Sequence, residues 1–389
     1  MGMIINIDQA LKNHAHFNVL GEPLHQMLKD RQEAWERENP IDLLYNRGTI
    51  STFQETYTSS IGFAHAFEET GDYAVGPIFN TASGFSATYT TRTFQGGFII
   101  SQQVLEDRQI GKVKDDAQAF QKRWHADVVE YCMKALDGGF TTTGITHGKS
   151  TIILKSADTV DGKITNPNQN PLFCTTHKTV YREDGDGVKD QSNAFFIADI
   201  DLAGSDGGKI AKLADGINQI ITIMENYYDD NGKIAGVTGK KSIVGPNNSH
   251  LKAAITNALQ TDVFKQGESM NANPAYQRAD AHFTPYLNMI DACSDGCGFF
   301  IVDKAYNAEN HGLELTERVP FTLDATETKR PKGIAYDGRQ RFDVNCASWR
   351  GIAYVRIKNG TGNFASSNFT TITPSATIAY KVNSTADAE

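Results

Sequence analysis

The segment Gly144-Ile-Thr-His-Gly148-Lys149-Ser150 has the residue types of a phosphate cradle, in which backbone N–H groups wrap phosphate oxygens and a lysine neutralises them. Such a cradle needs four residues between its glycines and a helix start behind them, whereas three intervene here and Thr151-Ile-Ile-Leu154 reads as a strand. An ordinary turn is expected. Gly207-Gly-Lys209 and Gly239-Lys240 depart further from the pattern.

Cys293-Ser-Asp-Gly-Cys297 offers two thiolates, but structural zinc takes four ligands, and only folding could bring Cys346 or His282 to complete a set. The alternative is a turn with two part-buried thiols. His14-Ala-His16 leaves the same choice between ligands and solvated imidazoles. Glu183, Asp184, Asp186 and Asp190 could face a Ca²⁺ ion, yet they lack the alternation and closing Glu of an EF-hand loop, so a solvated turn is expected. The sequence contains no Gly-x-Ser-x-Gly elbow, His-Glu-x-x-His helix or dinucleotide fingerprint. No catalytic, cofactor-binding or metal-binding residue is assigned, and the chain is not expected to be an enzyme.

The charge balance narrows the classes further. Across 389 residues, 46 acidic side chains outnumber 37 basic ones for a net charge of −9, which argues against a surface built to clamp nucleic acid. No apolar run approaches the ~18 residues of a membrane span, and the acid in Met1-Gly-Met-Ile-Ile-Asn-Ile-Asp8 interrupts any signal-like start. Asn6 stands where myristoylation wants Ser or Thr. A soluble, unexported chain is expected. The five cysteines, Cys132, Cys174, Cys293, Cys297 and Cys346, read as free thiols. Lys329 to Lys358 is strongly basic and Arg182 to Asp206 acidic. These are either complementary patches for self-association or two solvated faces.

The elements that would position any of this follow from periodicity. Pro23 to Asn39 reads as a helix with Leu24, Met27, Leu28, Arg31 and Trp35 on one flank, resting on its own body or on a neighbouring chain. Asp72 to Phe94 reads as a long β-hairpin turning at Asn80-Thr-Ala-Ser-Gly84. Its faces are rich in Thr and small residues, so it would be marginal alone and needs a partner surface. Val113, Ala117, Phe120, Trp124, Val128, Tyr131 and Ala135 predict a long helix over about 112–137, ended by Gly138-Gly139.

A second helix is predicted along Ile210, Leu213, Ile217, Ile221 and Met224, closed by Asp229-Asp-Asn-Gly232. A strand follows at Lys241-Ser-Ile-Val-Gly-Pro246, then a third helix capped within Asn247-Asn-Ser249. Gly298-Phe-Phe-Ile-Val302 reads as a buried strand, and Arg341 to Ile357 as two strands with Gly351 as a bulge.

The order of these parts, together with Phe53-x-x-x-Tyr57, Ala74-x-Gly76-x-Ile78, Gly96-Gly97-Phe-Ile-Ile-Ser101, Pro171-Leu-Phe-x-Thr-Thr-His177, Lys241 to Pro246, Arg341-Phe-x-Val and Trp349-Arg-Gly351, resembles the tailed-phage major capsid protein. The wording is most similar to Mu-like major head subunits, over about residues 53–357.

The resemblance implies an α+β Johnson fold: an N-terminal arm over 1–52, an extended loop over 53–100 with its hairpin at about 72–94, and the first part of a peripheral domain over 101–233 with a spine helix at about 112–137. An axial domain over 234–331 and peripheral return strands with a C-terminal tail over 332–389 complete it. It also implies hexamers and pentamers of identical copies closing into an icosahedral shell around double-stranded DNA, which they contact weakly and non-specifically. A separate scaffolding protein, a portal and a decoration protein are the other partners implied, with assembly in the bacterial host cytoplasm. Some relatives join subunits through a loop lysine, but no lysine occurs from Asp30 to Gly111, so a non-covalent shell is expected. Two alternatives stand beside this reading: an encapsulin-like nanocompartment, and a metal-dependent hydrolase using Cys293, Cys297 and a distant His.

Overall fold

The computed structural model describes residues 35, 39–60, 83–101, 103, 110–148, 150–154, 159–160, 163–164, 170–178, 190–198, 200, 207–229, 233–266, 269–329 and 332–374. Its main strands in chain order are β1 (Asn46–Thr49), β2 (Gln54–Ser60), β3 (Ser83–Thr90), β4 (Arg92–Ser101), β5 (Ile145–His147), β6 (Ser150–Ile152), β7 (Ala194–Ile197), β8 (Lys241–Pro246), β9 (Ala279–Thr284), β10 (Gly298–Asp303), β11 (Leu313–Lys329), β12 (Lys332–Cys346), β13 (Ile352–Arg356) and β14 (Thr370–Ile372). The helices are α1 (Ile110–Asp137), α2 (Gly207–Glu225), α3 (Ser249–Gln260) and α4 (Lys304–Glu309). The chain is α+β.

Two sheets organise it. A four-stranded sheet runs β1-β11-β12-β4, parallel at β1 and antiparallel elsewhere. A six-stranded mixed sheet runs β9-β8-β10-β13-β7-β14. This second sheet takes strands from before residue 234, from 234–331 and from after 331, so one sheet spans all three expected segments.

Helix α1 joins the two layers. Its 28 residues give a rod of about 42 Å at 1.5 Å per residue. In the first half only a stripe is buried, at Val113, Ala117 and Gln121, whereas from Val128 to Asp137 every residue is buried except Glu130 and Lys134, which are half-buried. The helix therefore starts on the surface of the four-stranded sheet and ends inside the core shared by both sheets. Over the four-stranded sheet its Phe120 and Trp124 rings meet two glycines paired across strands, Gly338 and Gly96. A Cβ on Gly338 would lie 3.1 Å from the Phe120 ring, so the missing side chain is what lets helix and sheet approach.

Local signals account for most of the elements. Asn248 caps α3 by accepting from the N–H groups of His250 and Leu251. All six residues of β10 are buried, as a central strand covered on both faces requires.

Several expectations need correction. Ser83–Thr90 pairs with Gln54–Ser60, a strand the periodicity did not reveal; the hairpin half expected at residues 72–79 and the start of its turn at 80–82 lie outside the described residues, and Ser83 and Gly84, expected in that turn, begin β3. Gly351 is in the turn that carries the chain from the four-stranded to the six-stranded sheet and is not a bulge. The 17-residue strand β11 was not anticipated, and β12 starts at Lys332 rather than Arg341. Of the helix expected over Pro23 to Asn39, only Trp35 and Asn39 are described. Trp35 stacks on His125 of α1 with ring centroids 4.2 Å apart, a contact with its own chain.

Candidate functional site

Most residues that looked chemical in the sequence are structural or lie outside the described residues. Ile145–His147 and Ser150–Ile152 form a small antiparallel hairpin, with Gly148 at φ +60° in its turn, so the phosphate-loop lookalike is a β-turn as expected. The Cys293 thiol is fully buried, and desolvation pushes its pKa well up, away from the thiolate a metal needs. Cys297 donates to the Asp295 carbonyl, Cys346 to the Ser348 carbonyl, and His282 is exposed. Among the described residues no three His, Cys, Asp or Glu side chains converge as a metal set. His14, His16, Glu183, Asp184 and Asp186 lie outside the described residues.

The basic run from Lys329 to Lys358 is not one patch. Arg339 and Lys358 are exposed, but Arg350 is buried and donates to the Tyr228 carbonyl. Arg356, 3% exposed, donates to the carbonyls of Ala292 and Lys358 and pairs with Asp295. These two guanidiniums tie loops to the core and are unavailable to a partner.

The quoted motifs do converge, as packing rather than chemistry. The His177 ring lies flat on Trp349, with centroids 4.1 Å apart, and Asn193 donates to the carbonyls of Leu172 and Ile352. The Pro171 to His177 segment is thereby fixed against the turn at Trp349 to Gly351.

The feature with the geometry of an interaction element is the β2–β3 ribbon. Gln54 pairs with Thr90 at its foot, and pairing continues to Ser60 and Ser83 with an irregularity after Thr58. The ribbon is a separate two-stranded sheet, outside both larger ones. Among the described residues a small apolar cluster, Ala87 and Tyr89 with Tyr57 and Ala347, seats it on the body, joined by the Tyr89 hydroxyl donating to the His311 carbonyl. Phe53, just before the ribbon, stays 57% exposed beneath the Arg341 guanidinium.

Below its foot, where β3 passes into β4, Arg92 donates to Asp343 Oδ2 at 2.8 Å and to the Thr151 carbonyl at 2.7 Å. The Tyr131 hydroxyl of α1 donates to the other Asp343 oxygen at 2.8 Å. Burial pushes the Asp343 carboxyl up, while Arg92 and these hydrogen bonds pull it down. One carboxylate on β12 thus joins the ribbon exit to the long helix. Beside it, between β3 and the end of β12, opens a groove of about 200 Å³ lined by Thr88, Thr90, Arg92, Ile153, Asp343 and Asn345. The sequence reading missed this junction because Arg92 and Asp343 are 251 residues apart.

Comparison with known proteins gives no matching family model and no matching curated protein. Solved structures do align at low identity. The asymmetric unit of the bacteriophage PhiM1 mature capsid is 11% identical, covers 82% of this chain and 89% of that chain, and has a TM-score of 0.44. The satellite phage P4 procapsid including size determination (Sid) protein is 12% identical over 86% of this chain and 91% of that one, with a TM-score of 0.42. A virus-like particle from Pyrococcus furiosus is 8% identical over 86% and 98% respectively, with a TM-score of 0.41.

Proposed function

We propose that this chain is a shell-building subunit, the major capsid protein of a tailed bacteriophage, whose identical copies form hexamers and pentamers of an icosahedral head around double-stranded DNA. The observation that carries this reading is the ribbon. Two strands seated by one small apolar cluster and a hydrogen bond from Tyr89 to the His311 carbonyl bury too little apolar surface for independent stability, and a neighbouring copy in a closed symmetric assembly would supply the missing surface. The order of parts around the ribbon supports the same reading, because a long helix lies on one sheet and a second sheet and helix pair sit beyond it. The wording of the sequence favours the Mu-like branch of these subunits.

In this reading the four-stranded sheet with α1 is the peripheral layer, and the six-stranded sheet with α2 and α3 the axial one. The 1–52 arm keeps the role implied by the sequence, whereas the 332–389 segment is divided, with β12 in the peripheral layer and β13 and β14 in the axial sheet, which also takes β7 and α2 from the segment 101–233. Scaffolding, portal and decoration proteins are the further partners, the virion head is the location, and the host cytoplasm is the place of assembly. A net charge of −9 suits a wall that must not bind its cargo tightly.

Electron microscopy of the purified full chain tests this directly. Round shells or capsomer rings are the expected result, and replacing the ribbon with a short Gly-Ser turn should abolish them while leaving a folded chain. Compact monomers persisting at high concentration would overturn the reading.

A further inference from the structure

The sequence holds two Asn-Gly pairs, Asn231-Gly232 and Asn359-Gly360. Asparagine is a thermolabile residue, and a glycine after it leaves the next backbone nitrogen unshielded, so such a pair closes readily to a succinimide. Asn231 and Gly232 lie outside the described residues. Asn359 and Gly360 lie in the loop between β13 and β14, with Asn359 exposed to water.

Exposure alone does not set the rate there, because both reacting groups are held. The Gly360 N–H, which must give up its proton before its nitrogen can attack, donates to the Phe364 carbonyl at 3.1 Å. Asn359 Oδ1 accepts from the Ser366 N–H at 2.9 Å, which fixes the amide that would be attacked. The loop that makes these bonds is itself closed onto the body. Its Phe364 ring lies under the Arg356 guanidinium, with 5.6 Å from the guanidinium carbon to the ring centroid, and edge-on to Phe140 at 5.1 Å. Across the loop, Asn368 Nδ2 donates to the carbonyls of Gly362 at 3.0 Å and Asn363 at 3.3 Å.

We propose that Asn359-Gly360 is a gated deamidation site, which stays intact while the 359–369 loop is closed and converts when the loop opens. In the open loop the Gly360 nitrogen, its proton taken by solvent, bonds to the Asn359 side-chain carbonyl carbon, and ammonia leaves with a proton from water. Water then adds to one of the two succinimide carbonyls and breaks its bond to nitrogen, which leaves an aspartyl or an isoaspartyl residue at 359. The aspartyl form keeps an oxygen for the Ser366 N–H. The isoaspartyl form adds a methylene to the backbone directly ahead of Gly360, where there is no spare room. Even a Cβ on Gly360 would lie 2.6 Å from the Phe364 carbonyl oxygen and 2.7 Å from Arg356 Nη2. A transient opening is thereby recorded as a loop that cannot close again, beside the guanidinium that holds the Ala292 and Lys358 carbonyls.

Purified full-length protein, incubated in mildly alkaline buffer either folded or unfolded in guanidinium chloride, tests the gate by peptide mass spectrometry of position 359. In the unfolded chain Asn359 should convert as fast as Asn231, which has the same neighbour. In the folded chain it should convert at least about tenfold more slowly than unfolded, because a local opening must precede attack. Ser366→Pro removes the N–H that holds the amide. Ser366 is the first residue of the one-turn 3₁₀ helix Ser366–Asn368, and Ala365 before it is extended at ψ 139°, so a proline fits there. This variant should raise the folded rate about three- to tenfold with the urea midpoint little changed. Should it not fold, Phe364→Leu, which thins the contact with Arg356 and Phe140, takes its place with the same expectation. A folded rate equal to the unfolded one, or a folded variant as slow as the wild type, would overturn the gate. Aged material rich in the isoaspartyl form should exchange its 360–369 amide hydrogens faster than fresh material, and equal exchange would overturn the failure to reclose. Neither outcome depends on shell formation, so the capsid reading stands or falls separately.

Discussion

Replacing Lys241 with Met would strand the Asp303 carboxylate in a place where water cannot reach it. The two side chains are 1% and 0% exposed, and the ammonium donates to Asp303 Oδ2 at 2.8 Å, the Val237 carbonyl at 2.9 Å and the Gly239 carbonyl at 2.7 Å. All three of its protons are used, and Asp303 Oδ1 accepts from the Tyr306 N–H at the start of α4. Breaking such a pair from one side costs about 3–5 kcal/mol, so Lys241→Met should lower the urea midpoint strongly, whereas Lys241→Met with Asp303→Leu should recover much of the loss. Asp137 makes a prediction of opposite character. It ends α1 and accepts from the N–H groups of Asp291 and Ala292, yet burial outweighs those bonds and pushes its carboxyl up to about 6. The folded state then holds the proton more tightly than the unfolded one, so this group's contribution falls as pH rises from about 4 to about 6. Denaturation at pH 5 and pH 7 should show the upper part of that loss, about 1 kcal/mol, in the wild type and not in Asp137→Asn. Neither site was legible in the sequence, nor were the interior roles of Arg350 and Arg356. Arg350 finds its carbonyl 122 residues away and Arg356 its carboxylate 61 residues away, so a run of charges along the chain says little about which of them reach solvent.

The helices were easier to read because a 3.6-residue period repeats over many turns. The stripe from Val113 to Ala135 predicted α1 to within two residues at its start, and Ile210 to Met224 predicted α2. The ribbon was read only in part: β3 alternates, but β2 offers just Tyr57 as an inward apolar anchor, so its pairing depends on a cluster the sequence does not display. The strand β11 did carry a period of two at Leu313, Leu315, Val319, Phe321 and Leu323. Pro320 disguised it, and the structure accommodates that proline with register shifts between Glu317 and Thr322. Close contact between elements also explains the Gly96-Gly97 motif. A Cβ at Gly97 would fall 2.5 Å from the Tyr336 carbonyl oxygen, a clash with backbone that no rotamer relieves. Gly97→Ala should therefore separate β4 from β12 and lower stability by about 1–3 kcal/mol in thermal or urea unfolding. Exposed Lys122→Ala on α1 should stay within about 0.5 kcal/mol of wild type.

At the scale of the whole molecule, the chemistry available to the ribbon limits how copies can be joined. An isopeptide bond needs an amine, and the nearest lysines on either side of the ribbon are Lys29 and Lys112, so the segment that includes β2 and β3 has none. If the ribbon drapes over a neighbour, it does so with hydroxyls, Tyr57, the exposed Phe53 and its own backbone edges, all of which release in detergent and heat. Assembled material boiled in detergent should therefore run as a single band at 42.7 kDa, and a ladder of covalent multimers would show a linkage whose amine lies outside the ribbon. The same absence has an energetic consequence. In a shell of the proposed kind without covalent closure, each contact would persist by burial and hydrogen bonding alone, so its resistance to denaturant should follow the seating of the ribbon. Tyr57→Ala removes an aromatic ring from the cluster that seats it, and should dissociate shells at lower urea than wild type while changing the unfolding of the isolated chain much less. Equal losses in both measurements would mean that the ring stabilises only its own chain.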